Sequence, residues 1–238
     1  MKDNFIAYDQ GIMSNADNYR KYLYLLLKPY IKGHILEIGA GIGNLTEEVT
    51  INDNNQIKSI TCIEEDIDCY KNLRSKFSTS DLELNFILGH FPHVKPASKQ
   101  FDLIFSFNVL EHIDDDVQAI KECYNLLSPG GVLFAFVPAF QCLYGSMDHK
   151  LKHYRRYSKK GIIEKTKLAG FCIEKIRYCN FIGFLGWYFN NRILKIESQK
   201  PNQVAFFDKI ILPVQSKIEK YIEPCVGQNL YIVARKIS

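Results

Sequence analysis

Residues 35–46 read ILEIGAGIGNLT: a short apolar run that breaks into glycines at 39, 41 and 43 and then turns polar and helix-like. A strand running into a glycine turn and a helix is the start of a nucleotide-binding βα unit. The glycines permit a sharp bend and let a ligand approach the backbone. The dinucleotide pattern G-x-G-x-x-G is not met, because its third glycine position holds Asn44. The closer spacing suits a ligand lying against the turn rather than a pyrophosphate aimed at a helix N-terminus. Glu37 precedes the turn, and Ala40 lies between its first two glycines.

Downstream, strand-like and helix-like segments alternate. Strands are expected at 34–38, 57–63, 82–88, 101–107 and 132–137, and helices at 43–51, 66–77 and 114–127. SPGG at 128–131 is a stop signal for the last of these helices. This rhythm implies βαβ units, a mostly parallel sheet and helices on both faces. An amphipathic helix over 17–31 precedes the sheet, a helix at 158–169 with Ser158 as N-cap follows it, and strands at 171–178 and 229–235 come last. The boundaries are 1–33 for an N-terminal helical cap, 34–137 for the cofactor-binding core, 138–157 for a substrate loop and 180–226 for an inserted lid.

The loops at the carboxyl ends of the strands are where an open α/β sheet binds its ligand. Glu64, with Glu65 beside it, ends the second strand and can accept hydrogen bonds from both ribose hydroxyls. Asp66 reads as a helix N-cap. His90 and Phe91 follow the third strand, where a base would sit, and Asn108, Val109 and His112 follow the fourth.

In this order LEIGAGIGNLT, CIEED, ILGHF, FDLIFSFNVLEHI and LLSPGGVLFAFVP resemble the class I S-adenosylmethionine-dependent methyltransferases. The resemblance implies a Rossmann-like seven-stranded mixed sheet whose last strand is antiparallel. It also implies that Gly39 and Gly41 face the methionine part of S-adenosyl-L-methionine, Glu64 the ribose, and residues 90–91 the adenine. His90 stands where the family usually has Asp. A second stretch, VPAFQCLYGSMDHKLKHYRRYS, is similar to a type 11/12-like bacterial subgroup with a D-x4-H-x-R-R-Y segment. Its members are often encoded beside, or fused to, glycosyltransferases of the cell envelope. That hints at a sugar or lipid-linked acceptor.

Methyl transfer from a sulfonium needs an acceptor atom placed in line, with a base in reach for a hydroxyl or carbon acceptor. His153 is the expected base, Asp148 its orienting partner and Tyr157 a substrate-holding group, while Tyr19 is a candidate to face the sulfonium. Arg155 and Arg156 are candidates to clamp a phosphate or carboxylate. The competing role for His153 and the arginines is to pin the loop to the sheet. No metal is expected: after His149 the zincin pattern would need Glu, and Lys150 is there.

The expected activity is O- or C-methylation of a small-molecule, lipid-linked or glycan acceptor, an anionic one included. Two alternatives stay open. An NAD(P)-dependent oxidoreductase is opposed by Asn44 and by the lack of a Y-x-x-x-K or similar hydride-transfer pair after the fourth strand, and a non-catalytic cofactor-binding partner protein is the other. A net charge of +4 over 238 residues argues for no nucleic-acid partner. Seven scattered cysteines, with no CxxC pair, fit reduced thiols and a cytoplasmic location. No apolar run nears the ~20 residues of a membrane span, although FIGFLGWYF (181–189) could touch a membrane surface.

Overall fold

The computed structural model describes residues 16–97, 100–194 and 201–237. Residues 1–15 of the expected cap and 195–200 of the expected lid therefore lie outside the described residues. Seven strands run β1 (Gly33–Ile38), β2 (Ile57–Glu64), β3 (Glu83–Leu88), β4 (Phe101–Phe107), β5 (Leu127–Pro138), β6 (Phe171–Cys179) and β7 (Asn229–Lys236). Their spatial order is β3-β2-β1-β4-β5-β7-β6. β1 to β5 pair in parallel, and β7 pairs antiparallel with both β5 and β6. The expected Rossmann-like mixed sheet is thus present, with its antiparallel strand inserted between two others.

Alternating residues divide each central strand between two apolar layers, as a period of two requires. Ile104, Leu133, Ala135 and Ile232 face one layer, closed by α4 (Asp116–Leu126) and α6 (Lys159–Leu168). Leu103, Phe105, Phe134, Phe136 and Val233 face the other, closed by α1 (Asp17–Leu27), α2 (Asn44–Asp53) and α3 (Ile67–Lys76). Phe101, Phe105, Phe134 and Phe136 are fully buried, each stabilising the fold by roughly 1.5–3 kcal/mol.

Local signals set the ends. Asp66 accepts from the backbone N–H groups of Asp68 and Cys69 and so caps α3. Ser158 accepts from Gly161 and caps α6. Pro29 and the neighbouring residues tighten the end of the first helix into a 3₁₀ turn at Lys28–Tyr30.

The strand order reverses between β1 and β4, so their C-terminal loops diverge and leave a crevice. Over it lie a loop with the short helix α5 (Ser146–Lys150) and the described residues of the segment 180–226, namely 180–194 and 201–226. That segment holds α7 (Phe181–Trp187), α8 (Pro201–Phe206) and α9 (Leu212–Tyr221), with wider π turns after α7 and before α9. Glycines at 183 and 186 make α7 a weak helix in isolation. Its N-terminus is instead fixed by two long-range acceptors, with Phe181 N donating to Glu219 and Ile182 N to Gln215, and by the N-cap Asn180, which accepts from Gly183 N. No helix among the described residues is long and apolar enough to cross a membrane.

Candidate active site

The glycine turn does three different jobs. A Cβ on Gly39 would lie 2.4 Å from Val109 Cγ2, so this glycine lets the β1 and β4 loops meet across the crevice. A Cβ on Gly43 would strike Leu73 and Phe77, so it serves helix packing. Gly41, at φ 56°, directs its N–H to Glu64 Oε2 at 2.7 Å. The other oxygen of Glu64 accepts from Asp66 N at 2.9 Å. Burial raises the pKa of Glu64, and these two backbone donors oppose the rise. Each carboxylate oxygen keeps a lone pair for a ligand hydroxyl. Ala40 is buried, and its N–H, like that of Gly39, donates to Ile63 O.

The other predicted cofactor residues divide. Glu37 lies beneath the turn, where it accepts from Thr46 Oγ1 at 2.5 Å and ties β1 to α2. Burial pushes its carboxyl up to about 8, against the Thr46 hydrogen bond. His90 and Glu65 are exposed side chains that pair at 2.5 Å. Phe91 corrects an expectation: it is 3% exposed and packs in the apolar layer, so it offers no face for a base to stack on. The reason is long-range packing, which a single loop motif does not encode.

Tyr19, Asn108 and His112 line a cavity of about 760 Å³, which also reaches Asn44 and Leu45 beyond the glycine turn. That volume is in the usual range for a small-molecule site. Asn229 Oδ1 and Trp187 Nε1 are buried atoms of cavity-lining residues, and neither has a hydrogen-bond partner among the described residues. The far wall is fixed by Asp208, whose carboxylate accepts from Tyr19 N at 2.8 Å and Asn18 N at 3.4 Å. It thereby caps α1, which has no side-chain cap of its own.

The 148–157 stretch supplies the remaining wall. His153 Nδ1 lies 2.9 Å from Asp148 Oδ1. The same oxygen accepts from Arg156 Nε at 2.7 Å, and Asp148 Oδ2 accepts from Gly145 N at 3.0 Å. Burial would raise the Asp148 pKa, but the His153 hydrogen bond and the Arg156 charge hold it below the usual carboxylate value. His153 and Arg156 line the cavity, and the Arg156 guanidinium lies 4.9 Å from the Trp187 ring. His153 and Asp148 are therefore brought together at the cavity, as the sequence led us to expect.

Tyr157 is a correction. Its hydroxyl donates to Asp116 Oδ2 at 2.7 Å, in a buried cluster that Lys165 and Arg155 also join. It does not line the cavity. Arg155 is spent in that cluster and is no anion clamp. His149 and His153 share no helix face, because α5 ends at Lys150.

Sequence reading missed Glu111. Its carboxylate is fully buried, burial pushes it up to about 8, and neither oxygen has a hydrogen-bond partner among the described residues. One ligand atom each of Glu111, His112 and His153 lies within 4.8 Å of the others. The expectation of no metal rests on the His149–His153 pattern and on the lack of a Cys or carboxylate at an obvious third-ligand spacing. Glu111 and His112 were visible as neighbours, but only the fold brings His153 to them.

Residues 36–135 match the family described as "Methyltransferase domain". Over 105 residues the chain is 30% identical to the ubiquinone biosynthesis O-methyltransferase of Coxiella burnetii, covering 44% of this chain and 43% of that protein. The chain thus spans under half the length of this curated relative. Phosphoethanolamine N-methyltransferase 2 of Haemonchus contortus, solved with S-adenosyl-L-methionine, superposes with a TM-score of 0.67 at 19% identity, covering 97% of this chain and 57% of that one. The N-methyltransferase NodS of Bradyrhizobium japonicum, solved with S-adenosyl-l-homocysteine, gives 0.59 at 14% identity, covering 94% and 88%. At these identities the likeness to the solved structures is one of fold.

Proposed function

We propose, starting from a core that is a methyltransferase domain of the S-adenosylmethionine-dependent kind, that the whole chain methylates a small-molecule, lipid-linked or glycan acceptor at oxygen or carbon. The observation that carries this reading is the Gly41–Glu64 grip beside a cavity with an imidazole–carboxylate pair on its wall. When bound, S-adenosyl-L-methionine supplies an electrophilic methyl group on a positive sulfur.

The chain's own residues do the rest. Glu64 accepts the ribose hydroxyls, and Gly39 and Gly41, having no side chains, let the methionine part lie against the turn. The Tyr19 ring faces the sulfonium. His153, its Nδ1 fixed by Asp148, presents Nε2 to the acceptor and takes its proton. Trp187 and the 180–226 segment shield the reacting atoms from water. The subgroup likeness of the Asp148–Tyr157 stretch supports a sugar or lipid-linked acceptor. So do Phe181, Leu185 and Phe189 of the segment, which are exposed, do not line the cavity and are suited to rest on a membrane surface.

Calorimetry tests the cofactor. We expect saturable binding of S-adenosylhomocysteine and none of NAD; the reverse result overturns the reading. A panel of phenolic, sugar and lipid-linked hydroxyl acceptors with methyl-labelled cofactor then identifies the substrate class. No transfer to any of them would favour a binding protein without turnover.

A further inference from the structure

We infer that Glu111, His112 and His153 form a binding site for a divalent transition-metal ion of the zinc class at the acceptor end of the cavity. The three donor atoms already lie within 4.8 Å of one another. Ligands held at about 2.0–2.2 Å around one ion stand roughly 3–4 Å apart, so a side-chain adjustment of about 1 Å closes the set.

The surroundings of each ligand point the same way. Glu111 is fully buried and both its oxygens lack any hydrogen-bond partner among the described residues. As an anion it is a buried charge favoured only by its own backbone N–H and the Arg156 charge; as an acid it has a buried hydroxyl with no acceptor among the described residues. Either state is costly, and a cation between the imidazoles relieves it. His153 has Nδ1 committed to Asp148, which leaves Nε2 as its free donor atom. Carboxylate behind imidazole behind metal is the usual outer arrangement of a histidine ligand. His112 is held by the backbone at Leu151 and lies edge-to-face with His153, ring centroids 4.6 Å apart. Two imidazoles and one carboxylate, without thiolate, suit zinc and its first-row neighbours rather than magnesium or calcium.

His112 and His153 both line the cavity, so an open coordination position would face the acceptor. This use of the ion rests on the methyl-transfer reading; its binding does not. A coordinated acceptor hydroxyl gives its proton to water, its oxygen takes the methyl group, and the broken S–C electron pair stays on sulfur. His153 then acts as a ligand, in place of its role as base.

The test uses the full chain, stripped with a chelator and titrated with Co(II) while its visible spectrum is followed. We expect one saturable equivalent with d–d absorption and no thiolate charge-transfer band, displaced by Zn(II). Glu111→Gln and His153→Ala should each abolish it. Asp148→Asn should weaken it by roughly 10- to 100-fold, as loss of an outer-shell partner does. Circular dichroism checks that each variant is folded, and any one folded variant suffices. Absence of binding, a thiolate band, or equal binding in a folded variant overturns the site. S-adenosylhomocysteine binding, measured separately, tells failure of the site from failure of the methyltransferase reading.

Discussion

Replacing Glu64 by glutamine separates what this side chain does for the fold from what it does for the cofactor. Its two oxygens accept from Gly41 N at 2.7 Å and Asp66 N at 2.9 Å, in a site only 6% exposed. Glutamine is isosteric, but one of its two terminal atoms is a donor. It can serve one of those backbone N–H groups and must oppose the other. A buried donor left without an acceptor costs about 1–3 kcal/mol, which for a chain of this size lowers Tm by roughly 2–12 °C. The cofactor loses more selectively. One ribose hydroxyl would forfeit a hydrogen bond to a charged acceptor, worth about 1.5–3 kcal/mol, so affinity should fall roughly 10- to 150-fold. Calorimetry with S-adenosylhomocysteine, below the lowered Tm, reads the second effect without acceptor or turnover. If Glu64→Gln binds it within about twofold of the parent chain, the ribose role assigned to Glu64 is wrong.

Three further outcomes follow from the geometry. Glu37 has a folded pKa near 8, far above that of an exposed glutamate. The native state therefore holds its proton more tightly than the unfolded chain, and stability contributed here should fall as pH rises from about 4.3 to 8, by up to ~1.4 kcal/mol per unit. Urea denaturation across that window should show a shallower decline in Glu37→Gln; an identical slope would refute the assignment. Asp208→Ala removes the acceptor for Tyr19 N and should cost about 0.5–2 kcal/mol, with faster hydrogen exchange at the start of α1. Unchanged exchange there would show that the cap is not what holds the helix. Gly39→Ala places a Cβ 2.4 Å from Val109 Cγ2 at a backbone φ of 73°. Adding Val109→Ala should recover the clash but not the ~1–2 kcal/mol of left-handed strain; a double variant no more stable than the single one would contradict this.

Much of the fold was legible because its signals are local. FDLIFSF is a strand from its first residue to its last, and Asp66 and Ser158 cap the helices that their side chains suggest. Glu64 was legible for the same reason: a strand end and a helix start fix its position. Tyr157 and Phe91 were not. Each sits in a motif that looks functional, but its surroundings come from residues far along the chain, such as Asp116 for Tyr157. Glu111 shows the opposite failure. Beside His112 it reads as an ordinary loop acid, and only the approach of His153 makes it unusual. α7 shows the same thing for backbone structure. Its glycines oppose a helix, and Glu219 and Gln215 override them from about 35 residues away.

The interior position of β7 carries a consequence for biosynthesis. Its neighbours are completed long before it emerges from the ribosome, yet β6 has no other strand to hydrogen-bond with. Until residues 229–236 clear the exit tunnel, β5 offers an open edge and β6 waits as a loose ribbon. A message broken just upstream of that strand would yield a polypeptide with two sticky borders, the kind of product that quality-control proteases meet first.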